Sequence, residues 1–314
     1  MTEPFGELTP QSVDALIRSL ADAPSLSAGQ EHLLRKLDHL IHAFRTSGHL
    51  GGLTADQVKT ILYALYEAGH LLTATPVAPA GASPTYDQDG LITIHNADFI
   101  REPEFQQAYQ RGMVAADNDY RWHWRVHVGL WAAWQAHHLP GDFVECGVNR
   151  GFLSSAIMRY LDWNRLDRQF FLLDTFRGLD DRFISDDEKA TGKSSSYNGY
   201  SECFAETCKN FEEFRNVVLI RGPVPLTLAE VNAERVCFLH LDMNCAPPEL
   251  AAIEYFWEKL VQGAIVLLDD YGCFSHDIQK RAIDGFAAER AVRILSLPTG
   301  QGIMIKQADK GCQA

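Results

Sequence analysis

From Gly141 to the end of the chain, short apolar runs alternate with segments of helical periodicity, and this alternation restricts the fold more than any other feature. Strands are expected at Phe143–Cys146, Phe170–Leu173, Val217–Ile220, Val236–Leu241 and Ala264–Leu268, and helices at about Leu153–Leu161, Ser201–Phe214, Pro248–Leu260 and Asp277–Glu289. Parallel neighbours need a long crossover between them, and an intervening helix supplies it, so the pattern implies a parallel sheet. Two further strands, Val292–Leu297 and Gly302–Lys306, are joined by Pro298-Thr-Gly300, which is a turn and not a helix. A hairpin reverses direction. The expected fold is therefore α/β, a seven-stranded sheet whose last strand is antiparallel, preceded by an N-terminal helical region.

Upstream the texture differs. Three helices are expected between about Thr9 and Leu72: Gln11–Ala23, Ala28–Ser47 with an apolar face through Leu33, Leu37 and Phe44, and a third that Thr54 caps at capping-box spacing from Gln57. Residues 1–75 carry no recognisable chemistry and read as an accessory region, a lid or a homo-oligomer contact. An Ala- and Pro-rich linker covers Thr73–Thr85, and residues 76–140 continue with helices at about Pro103–Gly112 and Tyr120–His138. The second of these is crowded with Trp122, Trp124, Trp131 and Trp134, a packing signature before it is a ligand contact. Residues 141–314 form the sheet domain.

Charge narrows the partners. Asp and Glu outnumber Lys and Arg by 41 to 28 over 314 residues, a net charge of -13. Such a surface repels phosphate backbones and anionic lipid, so neither nucleic acid nor membrane is expected as a partner. The 7 cysteines include no Cys-x-x-Cys pair and read as free thiols. With no basic-then-apolar leader and no apolar run of roughly 18 residues, a cytoplasmic protein is expected.

Three segments carry chemistry. Glu145-Cys-Gly-Val-Asn-Arg-Gly151 sits where the first strand gives way to its helix. Its glycines let backbone approach a ligand closely, and the helix N-terminus presents unpaired N–H groups. The spacing is not the Gly-x-Gly-x-x-Gly that cradles a pyrophosphate. An acid before a single glycine suits a cationic amino group, such as the methionine end of S-adenosylmethionine; a structural turn is the plainer reading. The second strand ends in Leu173-Asp-Thr-Phe176, followed by Gly178, which places Asp174 either to bind both ribose hydroxyls of an adenosine or to cap a helix. The fourth strand ends in His240-Leu-Asp242 and the fifth in Leu268-Asp-Asp-Tyr271. Both ends open onto one crevice in a doubly wound sheet, so Asp242, Asp269 and Asp270 are expected to converge. Three uncompensated carboxylates repel, and a divalent cation, Mg²⁺ for all-oxygen donors, relieves them. The alternative makes two of them helix caps and the third a surface charge.

Taken together these strings resemble the TylF family of bacterial O-methyltransferases, over roughly Arg125 to Lys306. The resemblance rests on Pro140-Gly-Asp-Phe-Val-Glu-Cys-Gly-Val-Asn-Arg-Gly151, Leu173-Asp-Thr-Phe-Arg-Gly178, His240-Leu-Asp242 and Leu268-Asp-Asp-Tyr271. It implies a class I S-adenosylmethionine-dependent methyltransferase with a Rossmann-like sheet. It further implies that the cofactor is held by Glu145, Gly147, Asn149, Arg150 and Gly151 in the first loop and by Asp174, Thr175, Phe176 and Gly178 in the second. Asp242, Asp269 and Asp270 would hold a Mg²⁺ that receives the acceptor's hydroxyl. Relatives commonly read Asp-Gly-Asp-x-Tyr-Glu-Ser after the fourth strand, whereas this chain reads Asp242-Met-Asn-Cys-Ala-Pro-Pro-Glu249. Asn244 replaces the second acid, which marks a divergent branch with its own substrate.

Methyl transfer needs a nucleophile in line with the methyl carbon and a group to take its proton. Asp242 is the leading base and His276 the alternative, with a surface or capping role for His276 as the competing reading. The acceptor expected from the family is a small-molecule hydroxyl on a sugar or secondary metabolite. His123 and His127 lie four apart on one helix face, but no third ligand at fitting spacing joins them for zinc. Two other classes stay open. A cofactor-binding protein without turnover is favoured by the altered Met243–Pro248 segment, and a nicotinamide-dependent oxidoreductase would want a third spaced glycine beside Gly147 and Gly151.

Overall fold

The computed structural model describes residues 83–308. The chain divides into two compact units, Met1–Ala82 and Ser83–Ala314. The helices expected within residues 1–75, and the oligomer contact expected of them, lie outside the described residues.

The second unit opens with a hairpin, β1 (Tyr86–Gln88) and β2 (Leu91–Thr93), paired antiparallel. Its two-residue turn, Asp89-Gly90, takes φ of 53° and 70°, the left-handed pair that matches strand twist in a tight hairpin. Helices α1 (Pro103–Ala116) and α2 (His123–His137) follow. The alternating region then runs β3 (Asp142–Cys146), α3 (Phe152–Tyr160), β4 (Phe170–Asp174), α4 (Asp186–Ala190), α5 (Phe204–Phe211) and β5 (Val217–Arg221). It ends with β6 (Val236–Leu241), α6 (Ala246–Trp257), β7 (Leu260–Leu268), α7 (Asp277–Glu289), β8 (Leu295–Ser296) and β9 (Gly302–Ile305).

Seven strands make one sheet in the order β5-β4-β3-β6-β7-β9-β8. Strands β3 to β7 are parallel, β9 is antiparallel to β7, and β8 is antiparallel to β9. This is the expected Rossmann-like sheet with its reversed final strand. The chain winds outward in both directions from the β3–β6 boundary, and at such a switch point the C-terminal strand ends open a crevice.

Successive strand residues face opposite layers. Phe143, Phe170, Phe238 and Leu267 enter the core closed by α1, α2 and α3, while Val144, Phe171, Leu239 and Val266 enter the core closed by α6 and α7. Phe143, Phe170 and Phe238 are 0% exposed, and burying each contributes roughly 1.5–3 kcal/mol. The same parity puts Glu145 and His240 on the α2 side. Asp269 lies one residue beyond β7, in a bend.

Local conformations explain where the elements depart from expectation. Helix α1 continues past Gly112 to Ala116 and stops at Asp117, which is left-handed at φ 54°. Arg121 at φ 59° delays the start of α2 to His123. Val292, expected in a strand, donates its N–H to the carbonyl of Ala287 and finishes α7, which leaves β8 short. Helix α4 was not expected. Ser185 and Glu188 close a capping box at its start. No helix among the described residues is long and apolar enough to cross a membrane.

Candidate active site

Three strand tips are stitched together first. Gly147, just past β3, sits at φ +94°, where a Cβ would collide with the carbonyl of Asp242 at the tip of β6. Only glycine permits that approach. Its N–H donates to Leu173 on β4 at 2.9 Å, and the N–H of Asp242 donates to Cys146 at 2.9 Å. Asp174 ends β4 and turns toward this loop. Its Oδ2 accepts from the N–H groups of Val148 (2.6 Å) and Asn149 (2.7 Å), and its Oδ1 from that of Phe176 (2.6 Å). The carboxylate thereby fixes both loops with charge-assisted bonds. Thr175 closes the second loop by donating to the carbonyl of Gly178. Of the nine residues expected to hold the cofactor, eight line one cleft of about 470 Å³. The exception is Gly151, which begins α3 behind it.

The cleft floor is ionic. Glu145 and His240 are register partners on β3 and β6, and His240 Nδ1 donates to Glu145 Oε1 at 2.9 Å. Both are nearly sealed, at 3% and 1% exposure, yet Glu145 Oε2 and His240 Nε2 have no hydrogen-bond partner. Nε2 lies 3.6 Å from Asp269 Oδ1, an ion-pair contact too long for a hydrogen bond. Burial opposes a charge on His240, but the carboxylates of Asp269 and Glu145 outweigh it and lift its pKa to about 10. Asp269 is gripped by Arg125 of α2, whose Nη1 lies 2.6 Å from Oδ2, and by Gln301 Nε2 at 2.8 Å from Oδ1. Burial alone would raise Asp269; Arg125 beside it, with His240, holds it far below the usual carboxylate range. Asp242 has no such cation. Burial, then repulsion from Asp269 and Asp270, pushes it well above the ordinary value.

The expected trio is not one cluster. Asp242 and Asp269 line the cleft, whereas Asp270 and His276 do not. Asp270 Oδ2 faces His276 Nε2 at 3.7 Å, and its Oδ1 is 3.8 Å from Arg125. His276 stands at the N-cap position of α7 with its Nδ1 against the Phe274 carbonyl. Nor are the carboxylates uncompensated, because Arg125 and His240 bring positive charge among them. Asp242 itself makes no ion pair among the described residues, and a divalent ion could take up its charge once His240 gives up its Nε2 proton. His240, Asp242 and Asp269 each offer one donor atom, all within 4.8 Å of one another, so a divalent ion fits these residues, with nitrogen among its donors.

Arg125, Asp89 and Gln301 were not expected in the site. Arg125 Nε reaches Asp89 in the β1–β2 turn at 3.3 Å, and Gln301 belongs to the late Thr299-Gly-Gln-Gly302 turn. Arg125 and Asp269 are 144 residues apart, beyond any local spacing rule. His123 and His127 stack on Tyr109 and Phe99 at 4.4 and 3.9 Å, and burial lowers both pKa values. The tryptophans divide. Trp122 lines the cleft stacked on Tyr120, Trp124 packs on Phe99, and Trp131 and Trp134 are exposed.

The divergent Met243–Pro248 segment forms one wall, and a buried polar network pins it. Lys193 Nζ donates to the Asn244 carbonyl (2.6 Å) and Gln279 Oε1 (2.6 Å), and lies 3.4 Å from Glu188 Oε1. Glu188 accepts from the N–H of Ala246 at 2.9 Å. Glu249 accepts from the N–H of Met243 (3.1 Å) and from Gln279 (3.0 Å), and burial, reinforced by Asp270, lifts it to about 8.

Residues 130–295 match the family described as macrocin-O-methyltransferase (TylF). The chain belongs to this family. Membership makes it an S-adenosylmethionine-dependent methyltransferase. Among solved structures, the fold is similar to the O-methyltransferase NovP at 22% identity, covering 59% of this chain and 80% of that one, with a TM-score of 0.51. It is also similar to CalS11, a calicheamicin methyltransferase, at 19% identity, covering 73% of this chain and 99% of that one, with a TM-score of 0.50. No curated protein matches the chain.

Proposed function

We propose that this TylF-family enzyme methylates a hydroxyl group of a sugar or secondary metabolite with the help of a divalent cation. One observation carries the reading: a single cleft runs from the Gly147 and Asp174 loops to Asp242 and Asp269. The buried, unpartnered Oε2 of Glu145 suits the cationic amino group of the cofactor's methionine end, and Asp174, at the tip of β4 in the same cleft, suits the ribose hydroxyls.

When bound, S-adenosylmethionine supplies an electrophilic methyl carbon with its leaving group built in, and a divalent ion lowers the pKa of a bound hydroxyl. Asp242, which lines the cleft beside Asp269, would accept the hydroxyl proton. Asp242 and Asp269 would hold the ion. Tyr120, Trp122 and Phe152 line the cleft and help to exclude water.

The test is transfer of labelled methyl from S-adenosylmethionine to a panel of hydroxylated small molecules. Label should appear in an acceptor, disappear with EDTA and return on adding Mg²⁺ or Mn²⁺. Binding of S-adenosylhomocysteine without transfer to any acceptor would favour a non-catalytic binding protein, and heat on titration with NAD⁺ would favour an oxidoreductase.

A further inference from the structure

We infer that His240 is itself a ligand of the divalent ion, taking the place on which sequence reasoning put Asp270. The inference rests on the metal-assisted reading above and deepens it. Nδ1 of His240 donates to Glu145 Oε1 at 2.9 Å, which fixes the ring and leaves Nε2 as the nitrogen on the Asp269 side. Nε2 is buried, has no hydrogen-bond partner and points toward Asp242 and Asp269. A carboxylate on one imidazole nitrogen, with the other aimed at carboxylate donors, is the outer-shell pattern that orients metal-binding histidines. The 3.6 Å from Nε2 to Asp269 Oδ1 is too long for a hydrogen bond and close to the roughly 3.0–3.5 Å between neighbouring ligands about 2.1 Å from one ion.

Asp270 has been diverted. It lies beyond the end of β7 in a bend, and its carboxylate is 3.7 Å from His276 and 3.8 Å from Arg125 and does not line the cleft. The donor set is therefore one imidazole and two carboxylates. An imidazole nitrogen favours Mn²⁺, Co²⁺ or Zn²⁺ over Mg²⁺, which prefers oxygen alone. Binding displaces the Nε2 proton to solvent, and Glu145 stays as the positioning partner of Nδ1.

The experiment uses the full-length protein and Mn²⁺ alone, needing neither acceptor nor turnover. Pulsed electron paramagnetic resonance on the Mn²⁺-loaded protein should show a directly bound histidine nitrogen, and ¹⁵N-histidine labelling should change that signal. His240→Asn should weaken Mn²⁺ at least tenfold and remove the nitrogen signal while S-adenosylhomocysteine still binds, which also shows that the variant folds. Asp270→Asn should leave Mn²⁺ affinity within about threefold. Tight Mn²⁺ binding without a nitrogen signal would overturn the assignment and leave the metal-assisted reading standing. No saturable Mn²⁺ or Mg²⁺ binding would overturn both.

Discussion

Replacing Arg125 with Met removes the one guanidinium that joins α2, the β1–β2 turn and the tip of β7. The variant loses the 2.6 Å pair with Asp269 and the 3.3 Å pair with Asp89, along with bonds to the carbonyls of Asp269 and Thr299. The Asp269 side chain is only 8% exposed, so water cannot replace the lost partner. Breaking a buried pair from one side costs about 3–5 kcal/mol. Full protonation of Asp269 sets an upper bound, about 4 kcal/mol at pH 7 for a carboxyl that ionises near 3.9 when unfolded, and His240 and Gln301, which stay beside it, keep the loss within that bound. At about 2–4 °C per kcal/mol, thermal unfolding should begin roughly 8–15 °C lower. The sign with pH follows. Without Arg125 the folded pKa of Asp269 rises, so the variant loses stability that the ionised carboxylate supplied above the unfolded pKa, and the deficit should be smaller at pH 5 than at pH 7. Asp269→Asn added to Arg125→Met should restore most of the loss at pH 7. A deficit below about 1 kcal/mol, or one equal at pH 5 and pH 7, would refute the assignment of Arg125 as the internal counter-charge.

Three further outcomes are expected. Lys193→Met removes the cation beside Glu188, which is 0% exposed, together with the bonds to Asn244 and Gln279, and should cost about 3–5 kcal/mol in urea unfolding, with Glu188→Gln recovering part of it; additive losses would mean the two are not coupled. Glu249 is lifted to about 8 from an ordinary 4.5, so its neutral form favours folding in acid and that contribution is lost as pH rises through this window. Glu249→Gln should flatten the stability profile between pH 5 and pH 8 and make the variant the more stable form at pH 9, on the order of 3–5 kcal/mol at most; an unchanged slope would assign the titration elsewhere. Gly147→Ala drives a Cβ into the Asp242 carbonyl and should abolish S-adenosylhomocysteine binding or folding altogether, so retained micromolar binding would show that the strand tips are not locked together.

The sheet was legible because its signals are local. Alternating apolar runs and helices pointed to a parallel sheet, and Pro298-Thr-Gly300 to the closing hairpin. The glycine loop and Asp174 were legible for the same reason, since a strand–glycine–helix junction spans only a few residues. The charge balance was not. Asp269 owes its ionisation to Arg125 and Gln301, one far upstream and the other in a turn that looked merely structural. Alternation along β3 and β6 puts Glu145 and His240 on the α2 side, whereas Asp269 and Asp270 follow the end of β7 in a bend that strand parity does not govern. The network from Glu188 to Glu249 left no periodic trace, because α4 is a single capped turn in a long connection.

Calorimetric titration with S-adenosylhomocysteine asks whether one cleft binds the cofactor through the Gly147 loop and Asp174. The wild-type protein should take up one equivalent saturably, and Asp174→Ala should lose at least a hundredfold in affinity while its melting curve stays cooperative. Equal affinity in the two proteins, or no heat in either, would contradict such binding.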